Sequence, residues 1–156
     1  MPAQENKAIV RRYIDELNKR NAAILDELVG EVFREEVRNG YTRRIQAFPD
    51  YLVEIQDMIA EGEQVMVEWT HRGTHLGEDD GIAPTGKVMS GHAISIYRVV
   101  GGQIVEARGI WDQADWLHQL GLIDDPETIL EEARRKSRQR LAFLAKRKKL
   151  QSNRNE

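Results

Sequence analysis

KVMSGHAISIYRVVGGQIVEARGIWD, residues 87–112, holds two runs of alternating apolar and polar residues on either side of Gly101-Gly102. That pattern predicts two antiparallel strands joined by a tight hairpin. The register matters more than the strands themselves, because a slip of one residue turns every side chain to the other face. A simple two-residue turn and a turn with a glycine bulge are both compatible with the sequence, and a bulge at Gly102 pools the isoleucines more coherently. In that register residues 92 and 110 stand opposite each other. His92, Ile94, Ile96, Ile104, Arg108, Ile110 and Asp112 then share one face, expected to be the inner one.

Upstream, two further strands are predicted. Residues 51–60 put Tyr51, Val53, Ile55 and Ile59 on one face. After the turn AEGEQ, VMVEWTHRGTH places Val65, Val67, Trp69 and His71 together. The chain before them reads as helix. Ala8, Ile9, Tyr13, Ile14 and Leu17 recur at helical spacing over residues 5–20, a short second helix runs from about Asn21, and Gly30 interrupts it. REEVRNGYTRRIQAF is expected to be helical on either side of Asn39-Gly40, with Phe48-Pro49-Asp50 closing it. Helices first, then a run of long antiparallel strands, is an α+β pattern. Its curved sheet would form a half-open cone, with a pocket between sheet and helices.

The chain has 156 residues and no cysteine, which excludes disulfides, thiolate zinc sites and cysteine nucleophiles. Its start is charged and lacks a signal-type apolar core, and no run approaches the ~20 apolar residues of a membrane span. A cytoplasmic protein without membrane contact is therefore expected. Residues 1–123 carry 20 acidic and 13 basic side chains, whereas residues 124–156 carry 6 and 10. The change falls at Asp124-Asp125-Pro126, a helix start with Asp as cap and Pro at the first helical position. We place a domain boundary there: an α+β domain over 1–123, and a charged helix with a basic tail over 124–156. The tail's thin apolar stripe suits packing on the domain or on a second subunit. It lacks the aromatic and base-reading signatures of nucleic-acid binding.

Asp112 lies between Trp111 and Trp116. Drying a carboxylate costs several kcal/mol unless it is paired or protonated. Two roles are open to it: acid/base in an apolar pocket, or N-cap of the helix QADWLHQLG. His92 is either its partner in chemistry or a wall imidazole. His75 supports its loop or faces the pocket. Trp69 and Trp111 are core aromatics that also wall the pocket, as do Ile94 and Ile110, and Tyr13 on the first helix can aim its hydroxyl inward. His71 and Arg108 are polar groups set among apolar strand residues. The four histidines lack the paired spacing of a metal site.

Phe48-Pro49-Asp50, GTHLG at 73–77, GIAPTGK at 81–87, IYRVVGGQIVE at 96–106 and WDQADWLHQLG at 111–121 together resemble the SnoaL-like polyketide cyclases, also called ester cyclases, of the nuclear transport factor 2-like superfamily. The first helix fits as well, so the similarity covers nearly all of residues 5–123. The resemblance implies a cone-shaped α+β fold and an intramolecular aldol condensation without metal or cofactor. It puts the general acid/base at Asp112. It also implies a small hydrophobic carbonyl or polyketide-like ligand, with isomerase or hydrolase chemistry as close variants, and a homodimer formed through the exposed sheet face. Residues 29–47 read as charged helix where the family carries a further strand and a longer loop-helix segment, so three outcomes stay open: a more open pocket, one closed by a partner subunit, or one that is no longer catalytic. Two other functions stay open: a non-catalytic ligand binder of the same fold, and a protein-interaction module working through the basic helix.

Overall fold

Period-two alternation over residues 52–111 produces four antiparallel strands in the order β1-β2-β3-β4: β1 Leu52–Glu61, β2 Gln64–Thr74, β3 Val88–Val100 and β4 Gln103–Trp111. The computed structural model describes residues 2–152. Three helices precede the sheet, α1 Pro2–Asn18, α2 Ile24–Leu28 and α3 Glu31–Ala47, and two follow it, α4 Gln113–Gln119 and α5 Pro126–Ser152. This is the expected α+β architecture, a curved antiparallel sheet with helices against one face.

The core lies between α1, α2 and the inner face of the sheet. Val10 and Ile14 of α1 pack on Met58, Val65, Val67, Tyr97, Val99 and Ile104. Burying each such aliphatic side chain contributes about 1.5–3 kcal/mol. A second cluster joins α4 to the end of α3 through Trp116, Leu120, Ala47, Phe48 and Met89. The Phe48-Pro49-Asp50 motif has a clear local role. Asp50 accepts from the Thr74 backbone N–H at 2.6 Å and from its hydroxyl at 2.7 Å, which ties the start of β1 to the end of β2.

Three local expectations are corrected. The segment before β1 is one continuous helix through Asn39-Gly40. β1 carries a bulge between Ile55 and Asp57, so the face reverses there. Met58 turns inward, and Ile59 turns outward, 55 % exposed. In the last hairpin Val100 pairs Gln103 around a two-residue turn, with both glycines at positive φ, and the bulge lies further along β4, at Val105. That displaced bulge still keeps His92, Ile94, Ile96, Arg108 and Ile110 on one face, but Ile104 joins the other. The helices cover the Ile104 face, so the pooled isoleucines are the outside of the sheet, and Ile110 is 81 % exposed.

Two side-chain amides finish the sheet. Asn18 bonds both the N–H and the C=O of Val53 on β1, at 3.0 and 2.7 Å. Gln119 does the same to Ser90 on β3, at 2.8 and 2.7 Å, beyond the point where β4 stops pairing. At the far end, the Asp125 carboxylate accepts from the Glu127 N–H at 2.8 Å and starts α5. Among the described residues, no helix is long and apolar enough to cross a membrane.

Candidate functional site

A cavity of about 300 Å³ lies between α1, α3 and the inner sheet face. Ile14, Leu17, Phe33, Val37 and Val53 supply its apolar wall, while Tyr13, Tyr41, Tyr51, Trp69, Arg44 and Glu36 supply its polar groups. Each comes from a different constraint. Tyr13 sits on the buried face of α1, edge-on to Tyr97 at 5.9 Å. Trp69 follows the inward alternation of β2 and donates its indole N–H to Ser95 Oγ at 3.0 Å. Arg44 stands in the last turn of α3, its guanidinium over the rings of Phe48 and Tyr51 at 5.5 and 5.6 Å and 3.0 Å from buried Asp79.

The most distinctive contact is between Tyr51 and His71, whose hydroxyl and Nδ1 are 3.1 Å apart. The imidazole is held edge-on by Tyr51 and Trp69, at 5.7 and 5.3 Å. Gly91 makes room for it on the adjacent strand, where a Cβ would come within 2.7 Å of His71 Nε2. Burial, helped by the positive charge of Arg44 and by His92, pulls the His71 pKa down to about 4. Burial pushes the Tyr51 phenol up to about 12, and Arg44 opposes that rise. Near neutral pH the pair is therefore uncharged and fully protonated on oxygen. If Nδ1 carries the imidazole proton, His71 donates to the Tyr51 oxygen and leaves the phenol proton free to donate into the cavity. With Arg44 alongside, this wall suits a ligand oxygen that gathers negative charge.

The other sequence-predicted residues lie elsewhere. At the outer face a groove of about 580 Å³ is bordered by Thr70, His71, Arg72, His92, Asp112, Asp115 and Gln119, so His71 opens onto this groove and meets the inner cavity through Tyr51. Asp112 is exposed, and its Oδ1 accepts from the Asp115 N–H at 2.9 Å, so it makes the α4 N-cap. The drying inferred from its two tryptophan neighbours does not occur, because those rings turn toward each other, edge-on at 5.7 Å, rather than over the carboxylate. Ile94, Ile110 and Trp111 border a second outer groove with His92 and Asp112. Arg108 is exposed beside Glu106. His75 is fully buried away from the cavity, stacked on Phe48 at 5.0 Å, with Nδ1 accepting from the Thr85 N–H at 3.3 Å. Among the described residues, no group of three or more His, Cys, Asp or Glu could hold a metal ion.

The profile of the SnoaL-like polyketide cyclases matches residues 7–120. The chain belongs to that family. Among solved structures, this SnoaL-like chain is similar to the suggested hydroxylase AclR from Streptomyces galilaeus, at 25 % identity and a TM-score of 0.68, over 90 % of this chain and 96 % of AclR. It is similar to IdmH from Streptomyces antibioticus, a suggested polyketide cyclase, at 26 % identity and a TM-score of 0.64, over 74 % of this chain and 98 % of IdmH. A suggested SnoaL-like polyketide cyclase from Jannaschia, 19 % identical, shares the fold with a TM-score of 0.72, over 76 % of this chain and 93 % of its own. No curated protein matches. Sequence reasoning about this SnoaL-like domain passed over Tyr51 and Arg44 as site residues. Tyr51 follows the motif Phe48-Pro49-Asp50, which reads as a turn, and Arg44 lies in a helix whose charges read as a solvated face. The available signal was the pair of inward positions, 51 and 71, on neighbouring strands.

Proposed function

We propose that this SnoaL-like domain takes a small, largely apolar carbonyl compound into the inner cavity and promotes proton transfer beside its carbonyl. The reaction class is cofactor-independent aldol cyclisation or a related isomerisation. The Tyr51–His71 contact beside Arg44 carries this reading. Tyr51 donates to the carbonyl oxygen and stabilises the enolate, His71 orients Tyr51, and Arg44 contributes positive charge. Glu36, the one carboxylate among the described residues lining the cavity and exposed at its rim, takes the carbon-bound proton in this reading. The enolate carbon then bonds to a second carbonyl carbon of the same molecule, and the new alkoxide takes that proton back to become a hydroxyl. The suggested polyketide-cyclase assignment of IdmH favours a polyketide-like ligand. Dimerisation through the outer sheet face, where Ile59, Ile94 and Ile110 are exposed, belongs to the same reading.

A second reading keeps the chemistry at Asp112 with His92, because both border the larger outer groove beside Arg72. One comparison separates the two. With a panel of poly-β-carbonyl compounds, Tyr51→Phe should lower turnover roughly 10²-fold, as loss of an oxyanion donor does, and leave ligand affinity nearly unchanged. Asp112→Asn should retain near wild-type turnover and cost about 1 kcal/mol of stability or less through the cap. The opposite pattern moves the reaction to the outer groove. Saturable binding without turnover of any panel member makes the domain a ligand binder.

A further inference from the structure

Tyr51 and His71 touch each other but face different spaces. Tyr51 borders the inner cavity and His71 does not, whereas His71 borders the outer groove and Tyr51 does not. The 3.1 Å contact between the hydroxyl and Nδ1 joins the two. The way through the sheet follows from its topology. β4 pairs β3 only as far as Ala93 and Trp111, so Gly91, the residue paired with His71, has no β4 partner among the described residues. Gly91 borders the groove as well, and a Cβ on it would stand 2.7 Å from His71 Nε2. The missing side chain keeps open the edge of the ring that turns away from Tyr51. Arg72, His92 and Asp112 at the groove are all exposed, and a polar space of that size holds water.

A phenol at one ring nitrogen and water at the other make a path for protons. A buried phenol that gives its proton to a carbonyl oxygen needs another at once, because burial makes its phenolate unfavourable. Burial equally disfavours a charged His71 ring. An imidazole meets both limits by changing tautomer, taking a proton on one nitrogen as it gives one from the other. We propose that His71 is a proton relay between water in the outer groove and the Tyr51 hydroxyl in the inner cavity, a role that rests on the aldol-type reading of that cavity. As Glu36 takes the carbon-bound proton, the Tyr51 O–H proton moves to the carbonyl oxygen and gives the enol. The Tyr51 oxygen takes the Nδ1 proton, and Nε2 takes one from a groove water, leaving hydroxide there. When the enol carbon bonds to the second carbonyl, each step reverses. The enol proton passes to the Tyr51 oxygen, the phenol's own proton to Nδ1, and the Nε2 proton to the hydroxide. Neither Tyr51 nor His71 carries charge at the end of either half.

Asparagine separates relay from support, because its amide N–H can stand where Nδ1 stands and bond the Tyr51 oxygen, but it cannot pass a proton on. With the poly-β-carbonyl panel, His71→Asn should keep its circular-dichroism spectrum and KM while kcat falls roughly 10²-fold. His71→Ala leaves a hole open to the groove. Added imidazole should restore part of its kcat, and 1-methylimidazole, which has a single exchangeable nitrogen, should not. Near wild-type turnover in His71→Asn, while Tyr51→Phe stays slow, overturns the relay and leaves the cavity reading intact. Rescue of His71→Ala by neither compound, or by both alike, overturns it too. So does a His71 ring that nitrogen-15 NMR finds doubly protonated at pH 7, since a charged ring has no tautomer to change. Turnover that survives Tyr51→Phe, or no turnover of any panel member, removes the cavity reading and the relay together.

Discussion

At the scale of single residues, His71 couples the cavity to pH. Its folded pKa of about 4 lies below the ordinary histidine value of 6.5, chiefly because burial disfavours the charged ring. The unfolded chain therefore binds more protons between those values. The stabilising contribution is fully present above about pH 6.5 and is lost as pH falls toward 4. Because the ring is only partly shielded from solvent, the contribution is about 1–2 kcal/mol. Urea unfolding at pH 7 and pH 4.5 should show that loss in the wild type and a smaller one in His71→Asn. Parallel losses in the two proteins would assign the acid sensitivity to other groups. The position of His71 was legible because β2 alternates without interruption and carries Val65, Val67 and Trp69 on the same side. Ile94, Arg108 and Ile110 were grouped on one face by the same logic. Alternation says which residues share a face but not which face the helices cover, and these three are outside.

At the scale of elements, the two bulges and α3 mark the limits of sequence patterns. The bulge after Ile55 reverses β1 in mid-strand, and no single residue announces it. In the last hairpin Gly101-Gly102 drew attention to the turn, while the extra residue was Val105, three positions on. α3 continues through Asn39-Gly40, although glycine in a helix interior costs about 1 kcal/mol relative to alanine. A Cβ at Gly40 would meet nothing within 4 Å, so Gly40→Ala should raise stability by ~0.5–1 kcal/mol, read as a higher melting temperature. A decrease would argue against an unbroken α3. Gly77 is the contrary case. Its N–H bonds the Ala47 carbonyl at 3.0 Å, and a Cβ there would collide with the Gln46 carbonyl oxygen. Gly77→Ala should cost ~1–3 kcal/mol, and a neutral effect in chemical denaturation would show that the loop can move away from α3.

At the scale of the whole molecule, the α+β class followed from the order of elements alone, helices before four long strands, and the family motifs fixed the cone. The large-scale feature least legible in advance was the inner cavity's composition, since its polar wall combines side chains of α1, α3 and β2 with Tyr51 just ahead of β1. The charge change at Asp124-Asp125 predicts that residues 1–123 fold by themselves. The chain ended at residue 123 should unfold cooperatively with a stability within ~1 kcal/mol of the full chain at concentrations where both are monomeric, because the exposed side chains of α5 add almost no burial within one copy. A truncated chain with molten, non-cooperative unfolding would show instead that the helix is part of the core.

The carboxamides of Asn18 and Gln119 have one more consequence. An open sheet presents unpaired backbone groups that can template a foreign chain, and proteins with such sheets risk growing into fibrous aggregates. Each of these two amides imitates one residue of an absent neighbour, with a donor and an acceptor in the same plane. One closes a rung on β1 and the other a rung on β3 where β4 has ended. An incoming extended peptide cannot run its ladder past either position without first displacing a side chain already bonded twice. At these two positions, then, a planar polar group does what charge or another strand would otherwise have to do.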